Sequence, residues 1–191
     1  VGIENSCTES QCTLKAAVFS AVDDASSCPT SLQTRRIILT SEQYLITQSD
    51  DGIYSALNFT AFPSFLNGRF VVEGNGARII NRVPGRDKIL RFFDVRQNAD
   101  LTLKSITLEG GHARAPFGQD DPRFSRYDGH GGQIFNHGTL RLEQVTLTQG
   151  SISSSPAHSE LTKSGAGIFS FGALHISNNS IIKDSIVALN T

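Results

Sequence analysis

The hydrophobic pattern of this chain changes period once, near its start. In "TLKAAVFSAVDDA", residues 13–25, Leu14, Val18 and Val22 recur at four-residue spacing, with Ala17, Ala21 and Ala25 beside them. That spacing predicts a short amphipathic helix with one apolar stripe. "SSCPTS" follows and breaks it through proline and serine chemistry. Beyond that point the period falls towards two. "RRIILTSEQYLIT", "GRFVVEGNGARIINR", "KILRFFDVRQNADLTLKSITLEG" and two later stretches read as groups of short strands, separated by Gly, Asn, Asp and Ser. No second helical pattern of useful length appears.

The strand groups also repeat. "GGQIFNHGTLRLEQVTLTQG", residues 131–150, returns 34 residues later as "GAGIFSFGALHISNNSIIKD". The alignment sets Ile168 and Phe169 over Ile134 and Phe135, and Leu174 and Ile176 over Leu140 and Leu142. One group earlier, "LTLKSITLEGG" matches "LRLEQVTLTQG" at an offset of 39 residues. The strand parts agree, whereas the segments between them, "HARAPFGQDDPRFSRYDGH" and "SISSSPAHSELTKS", do not. Repeated strands with variable loops predict a β-solenoid, in which parallel pairing stacks like residues about 4.8 Å apart. Phe135 and Phe169 are expected to form a ladder inside the coil. Gly138 and Gly172 are expected at one corner, where a side chain would obstruct the turn or the next coil.

Composition narrows the class. The chain has 191 residues, enough for one sizeable core, and its 38% apolar content excludes a disordered chain. Its 17 Lys and Arg against 18 Asp and Glu give no whole-chain reason to expect nucleic acid or an acidic membrane as partner. No apolar run approaches a membrane span. The chain begins at Val1 and contains no Met, so it reads as processed or trimmed, which is compatible with a removed signal peptide. Cys7, Cys12 and Cys28 all fall in the first 28 residues. A trio clustered at one terminus reads as a local staple, which needs an oxidising compartment. The five histidines show no HxH or HExxH spacing, and the cysteines have no nearby histidine, so no metal or other cofactor is expected.

At this point the motifs resemble a family. "CTESQCTLKAAVFSAVDDA" is similar to the N-terminal motif of CSLREA-domain proteins, bacterial surface proteins with a Cys pair opening a Ser/Thr-Leu-Arg-Glu-Ala helix. Cys12, Thr13, Leu14, Lys15, Ala16 and Ala17 occupy that core here, with Ala16 in place of the usual Glu. "FVVEGNGARIIN" and "RFFDVRQNADLTLKSITLEGG" resemble the family's next coils. "GGQIFNHGTLRLEQVTL" resembles the Gly-Gly-x-Ile-Tyr-Asn coils of these proteins and of polymorphic outer-membrane proteins. The resemblance implies a right-handed parallel β-helix, secreted or displayed on the cell surface. It also implies a Cys7–Cys12 disulfide beside the helix, with Cys12–Cys28 as the alternative pairing. It implies no single activity, because this architecture serves adhesins, autotransporter passengers and polysaccharide lyases alike.

The expected layout is an N-terminal cap with its helix over residues 1–35, then an all-β parallel β-helix of about five coils over 36–191. Long insertions are expected at 111–131 and 151–165. The first is the richest candidate site, with His112, Arg114, Asp120, Asp121, Arg123, Arg126, Tyr127, Asp128 and His130. The second, beside it, adds His158 and Glu160. Paired carboxylates there would suit glycoside hydrolysis, and carboxylates holding Ca²⁺ beside an Arg or Lys base would suit a uronate lyase. Against both, three Arg and three Asp can satisfy one another as exposed pairs, and Asp120-Asp121-Pro122 and Asp128-Gly129 read as turns. A second candidate is the basic stretch of Arg69, Arg78, Arg82, Arg86, Lys88, Arg91 and Arg96, which would meet an acidic glycan unless its charges simply alternate out to water. Asn58-Phe59-Thr60 and Asn178-Asn179-Ser180 match glycosylation sequons but read as polar turns.

The preferred reading is a non-catalytic extracellular structural or adhesive β-helix. It would present loops to a glycan or host-surface protein and self-associate through its C-terminal coil, where Ile181, Ile182, Ile186, Val187 and Leu189 recur. The alternatives are a small carbohydrate-active enzyme using the 112–130 loop and a fragment of a larger surface protein. Peptide mapping without reductant tests the staple. It should recover a Cys7–Cys12 bridged peptide, and three freely alkylated thiols would refute the oxidising-compartment argument.

Overall fold

A computed structural model of the protein describes residues 14, 17, 18, 20–22, 34–47, 61, 62, 64–82, 91–114, 131–153, 166–177, 179–183 and 187–189. Their regular structure is almost entirely strand, with one short helix. The strands are β1 (Thr34–Ile38), β2 (Gln43–Ile46), β3 (Phe65–Glu73), β4 (Arg78–Asn81), β5 (Phe93–Lys104), β6 (Thr107–Glu109), β7 (His112–Arg114), β8 (Ile134–Asn136), β9 (Thr139–Glu143), β10 (Thr146–Thr148), β11 (Ser151–Ser153), β12 (Ile168–Ser170), β13 (Ala173–Ser177), β14 (Ile181–Lys183) and β15 (Val187–Leu189). One sheet runs β1–β3–β5–β8–β12–β15, with β9 beside β5 and β13 beside β9. A second runs β2–β4–β6–β10–β14, and β7 pairs with β11 in a third. The pairings are parallel throughout. The chain visits one sheet, moves to the next, and returns to the first a pass later. This is the order that parallel pairing requires, because parallel neighbours need a long connection.

The registers carry the sequence repeats into space. Leu101 lies opposite Leu140, and Leu140 opposite Leu174. Ile134 lies opposite Ile168 and Phe135 opposite Phe169. Three apolar rows therefore run through the core: Phe70–Leu101–Leu140–Leu174, Ile37–Val72–Leu103–Leu142–Ile176 and Ile79–Leu108–Leu147–Ile182. Their middle members are buried almost completely, and each such side chain contributes roughly 1.5–3 kcal/mol. Arg35 ends the first row at β1, its guanidinium 5.9 Å from the centre of the Phe70 ring.

The corner between the first two sheets is made the same way on four passes. Asn75, Ser105, Gln144 and Asn179 take φ values of 51°, 48°, 56° and 60°. This left-handed conformation costs a non-glycine residue about 1–2 kcal/mol, so the packing of the flanking strands holds it in place. The bend within the first sheet, between β8 and β9 and between β12 and β13, is tighter. A Cβ on Gly138 would lie 2.3 Å from the carbonyl oxygens of Arg96 and Ala99, and one on Gly172 would meet the backbone of Gly138. The obstruction expected at these two glycines is therefore contact with the neighbouring strand's backbone.

The helix appears where the four-residue spacing put it. Leu14, Ala17, Val18, Ser20, Ala21 and Val22 are helical, and Leu14, Val18 and Val22 are buried in the same core as Ile37 of β1. Ala17, Ser20 and Ala21 face β1 across a groove of about 410 Å³, so the helix lies against the outermost strand of the first sheet. Cys7, Cys12 and Cys28 lie outside the described residues.

One expectation changes. Phe135 and Phe169 stack, with ring centroids 5.9 Å apart and planes 15° apart, but they do not join the core that holds Ile134 and Ile168. Adjacent strand residues point to opposite faces, so the phenylalanines occupy the outward face and are buried there instead. At the C-terminal edge, Ile181 continues the outward row of Thr107 and Thr146, and Ile182 is the inward residue. Ile176 and Ile181 are 45% and 54% exposed.

The tight corner gives a direct test. Gly138→Ala should lower stability by about 3 kcal/mol, the upper range for overpacking. Gly76→Ala, which meets no neighbour but has φ of 87°, should cost about 1–2 kcal/mol. Chemical denaturation of both variants measures the order; equal losses would show that Gly138 is not pressed against the strand before it.

Candidate functional site

The polar groups that the fold gathers lie on the outward face of β5, β8 and β12. In β5, Phe93 and Val95 face the core, so Asp94 between them faces out, yet it is fully buried. Its Oδ2 accepts hydrogen bonds from the Ser64 hydroxyl at 2.8 Å and from Arg96 Nη2 at 2.7 Å. Asp94 is in register with Phe135 and Phe135 with Phe169, so the carboxylate stands at the head of the aromatic ladder. Phe171 meets Phe169 edge-on at 4.9 Å, and the His137 ring lies 4.8 Å from both Phe135 and Phe171. Arg91, also buried, places its guanidinium 4.8 Å from the centre of the Phe135 ring and donates from Nε to the Gly131 carbonyl. A cation over an aromatic face in a dry setting is worth about 2 kcal/mol.

Partial burial pushes the His137 imidazole below its ordinary value; the Arg96 guanidinium adds to that, and the Asp94 carboxylate opposes it. The corner therefore holds histidine in its neutral form next to an ion pair. Only the Asp94 side of this pair is buried, and the Arg96 side chain remains 38% exposed, so water screens the pair in part.

This cluster sits where the two variable segments return to the sheet. Residue 131 begins the return into β8 and residue 166 the return into β12. Gln133, buried just before β8, donates from Nε2 to the carbonyls of Leu108 and Thr148 at 3.0 and 2.8 Å, which ties that return to the second sheet. The departures are fixed as well. His112 of β7 lies opposite Ser151 of β11, with Nδ1 and Oγ 2.6 Å apart. Both segments thus leave from neighbouring parallel strands and return to neighbouring parallel strands. The first residues of each expected insertion, 112–114 and 151–153, are strand rather than loop.

Of the expected loop residues, His112 is half-buried on β7 and Arg114 ends that strand opposite Ser153. Asp120, Asp121, Arg123, Arg126, Tyr127, Asp128 and His130 lie outside the described residues, as do His158 and Glu160. The basic stretch does not form one surface. Arg78 pairs with Glu109, Arg96 with Asp94, Arg91 is buried at the loop return, Arg69 is exposed on β3 and Arg82 is exposed just after β4. Arg86 and Lys88 lie outside the described residues. Among the described residues, no group of three or more His, Cys, Asp or Glu is placed to hold a metal ion, and no helix is long and apolar enough to cross a membrane.

No protein-family model, curated protein or solved structure matches the chain.

The sign of the histidine shift fixes a pH dependence. A folded-state value below the ordinary 6.5 means that the unfolded chain binds the proton more readily. His137 therefore contributes stability above about pH 6.5, and that contribution is lost as the pH falls through the lowered folded value. Thermal melts of the wild type should weaken on acidification by more than those of His137→Phe. In proton-monitored titrations, Arg96→Gln should raise the His137 value and Asp94→Asn should lower it further; the opposite signs would contradict the arrangement.

Proposed function

We propose that the chain is a segment of a right-handed parallel β-helix on a secreted or cell-surface protein, with a structural and adhesive role and no chemistry of its own. Support for the β-helix comes from the recurrence of five parallel strands in one sheet at one strand per pass. Crossovers between parallel strands are right-handed in about 98% of cases, and the motif resemblance to CSLREA-domain proteins points the same way. In this reading the N-terminal helix covers the first coil, as a terminal solenoid unit must be covered.

The adhesive part rests on one observation: both variable segments leave beside one another at β7 and β11 and return beside one another at β8 and β12. A rigid body that fixes four loop ends side by side is a platform for binding. The ligand class is a glycan or a host-surface protein. Self-association through residues 172–191 belongs to the same reading, supported by the exposure of Ile176 on an otherwise buried row. Enzymatic chemistry would need carboxylates converging on one bond, and among the described residues Glu73, Asp94, Asp100, Glu109 and Glu143 each face a cation rather than one another.

Replacing residues 115–130 with a Gly-Ser linker should leave the melting transition near that of the wild type and abolish attachment to an array of cell-surface glycans and matrix proteins. The intact protein should release no reducing ends or unsaturated uronates from common polysaccharides. Turnover that disappears in Asp120→Asn, Asp121→Asn or Asp128→Asn would overturn the non-catalytic reading.

A further inference from the structure

The outward face of the ladder β1–β3–β5–β9 carries its charges mostly in matched pairs. Arg36 meets Glu73 at 2.7 Å, Lys104 meets Glu143 at 3.0 Å, and Arg141 pairs with Asp100. Arg69 of β3 is exposed and has no ion pair among the described residues. It stands in register with Asp100, whose carboxylate is held by Arg141 two strands away from Arg69. Thr34, Arg69, Asp100, Thr102 and Arg141 line an open groove of about 310 Å³. The groove crosses from β1 to β9, three interstrand steps or about 14 Å.

We propose that this groove binds a carboxylate-bearing saccharide, with Arg69 as the residue that recognises the acid. The argument is one of matched chemistry. A guanidinium presents two parallel donors that fit a carboxylate, and an unmatched one beside a groove is free to use them. Asp100 is acceptor-only and the Thr34 hydroxyl can donate or accept; both suit the hydroxyls that flank a uronate carboxylate. The groove is open and lined mainly by polar and charged side chains, which suits a short oligosaccharide better than a bulky apolar molecule. The chain's net charge of −1 offers polyanions no general attraction, so affinity for such a ligand has to come from a local imbalance like this one. The site lies on strands and does not depend on the two variable segments.

Binding of short oligouronates, measured by calorimetry at low salt, tests the proposal. A panel of galacturonate, glucuronate and mannuronate oligomers serves as probe, with their methyl esters and a sulfated oligosaccharide as comparators. The acids should bind and the esters should not. Arg69→Gln should weaken binding about tenfold or more, the scale of one lost charge-assisted bond, and Arg69→Lys should weaken it less. Arg82→Gln, which removes an exposed arginine just after β4 and outside the groove, should leave affinity unchanged, and so should the Gly-Ser replacement of residues 115–130. That last arm separates this site from the loop-based adhesive reading. The proposal is overturned by absence of binding to every acid on the panel, by esters or sulfated sugars binding as well as the acids, or by Arg82→Gln weakening affinity as much as Arg69→Gln.

Discussion

Parallel stacking of like residues is the constraint on which the rest of this protein depends. Each apolar row, such as Ile37–Val72–Leu103–Leu142–Ile176, takes one side chain from each pass of the chain. A row is buried only if every pass returns in register, because a slip of one residue would turn the row to the other face. The spacing between passes is about 4.8 Å, which leaves no room for a side chain where backbones cross. Gly138 and Gly172 follow from that limit, and the left-handed residues at Asn75, Ser105, Gln144 and Asn179 are the strain the stack tolerates.

The same constraint organises the surface. Outward residues of successive strands are also neighbours, so charges form ladders, with Glu73, Lys104 and Glu143 in register. Exposed pairs of this kind add little stability, about 0–1 kcal/mol each; their effect is to leave some cations matched and others, such as Arg69, unmatched. Where the sheet turns at residues 137 and 171, which are half-buried, the outward face is largely covered. Asp94, Arg91, Phe135 and Phe169 are buried there, and they anchor the chain as it comes back from each variable segment. The loops can vary freely in sequence because their ends are held by strand pairing and by this cluster.

Much of the fold was legible because it is repetitive. The offsets of 39 and 34 residues in the sequence are the registers of β5 with β9 and of β9 with β13, and the four-residue spacing of Leu14, Val18 and Val22 gave the helix its buried stripe. What could not be read was which face of a strand is covered. Phe135 was expected inside, although its neighbour Ile134 holds the core position and neighbours on a strand cannot share a face. That rule, applied strictly, would have flagged a second buried layer outside the sheet. Arg91 looked like a solvated member of a basic stretch for the same reason, since period-two alternation assigns faces but not environments. Gln133 carried no signal beyond its place in the repeated Gly-Gly-x-Ile-Phe motif, because its two carbonyl partners come from strands distant in sequence. Arg69 gave no sign of being set apart from the other arginines, since what distinguishes it is the pairing of its neighbours.

In-register stacking is the central claim, and methyl and aromatic NOEs measure it most directly on uniformly labelled protein in solution. The account predicts cross-peaks from Leu103 to Leu142, from Leu108 to Leu147 and between the rings of Phe135 and Phe169, with none joining Leu108 to Ile182, which are two passes apart. Strong Hα–Hα contacts between strands, the mark of antiparallel pairing, or cross-peaks displaced by one residue along any row would contradict it.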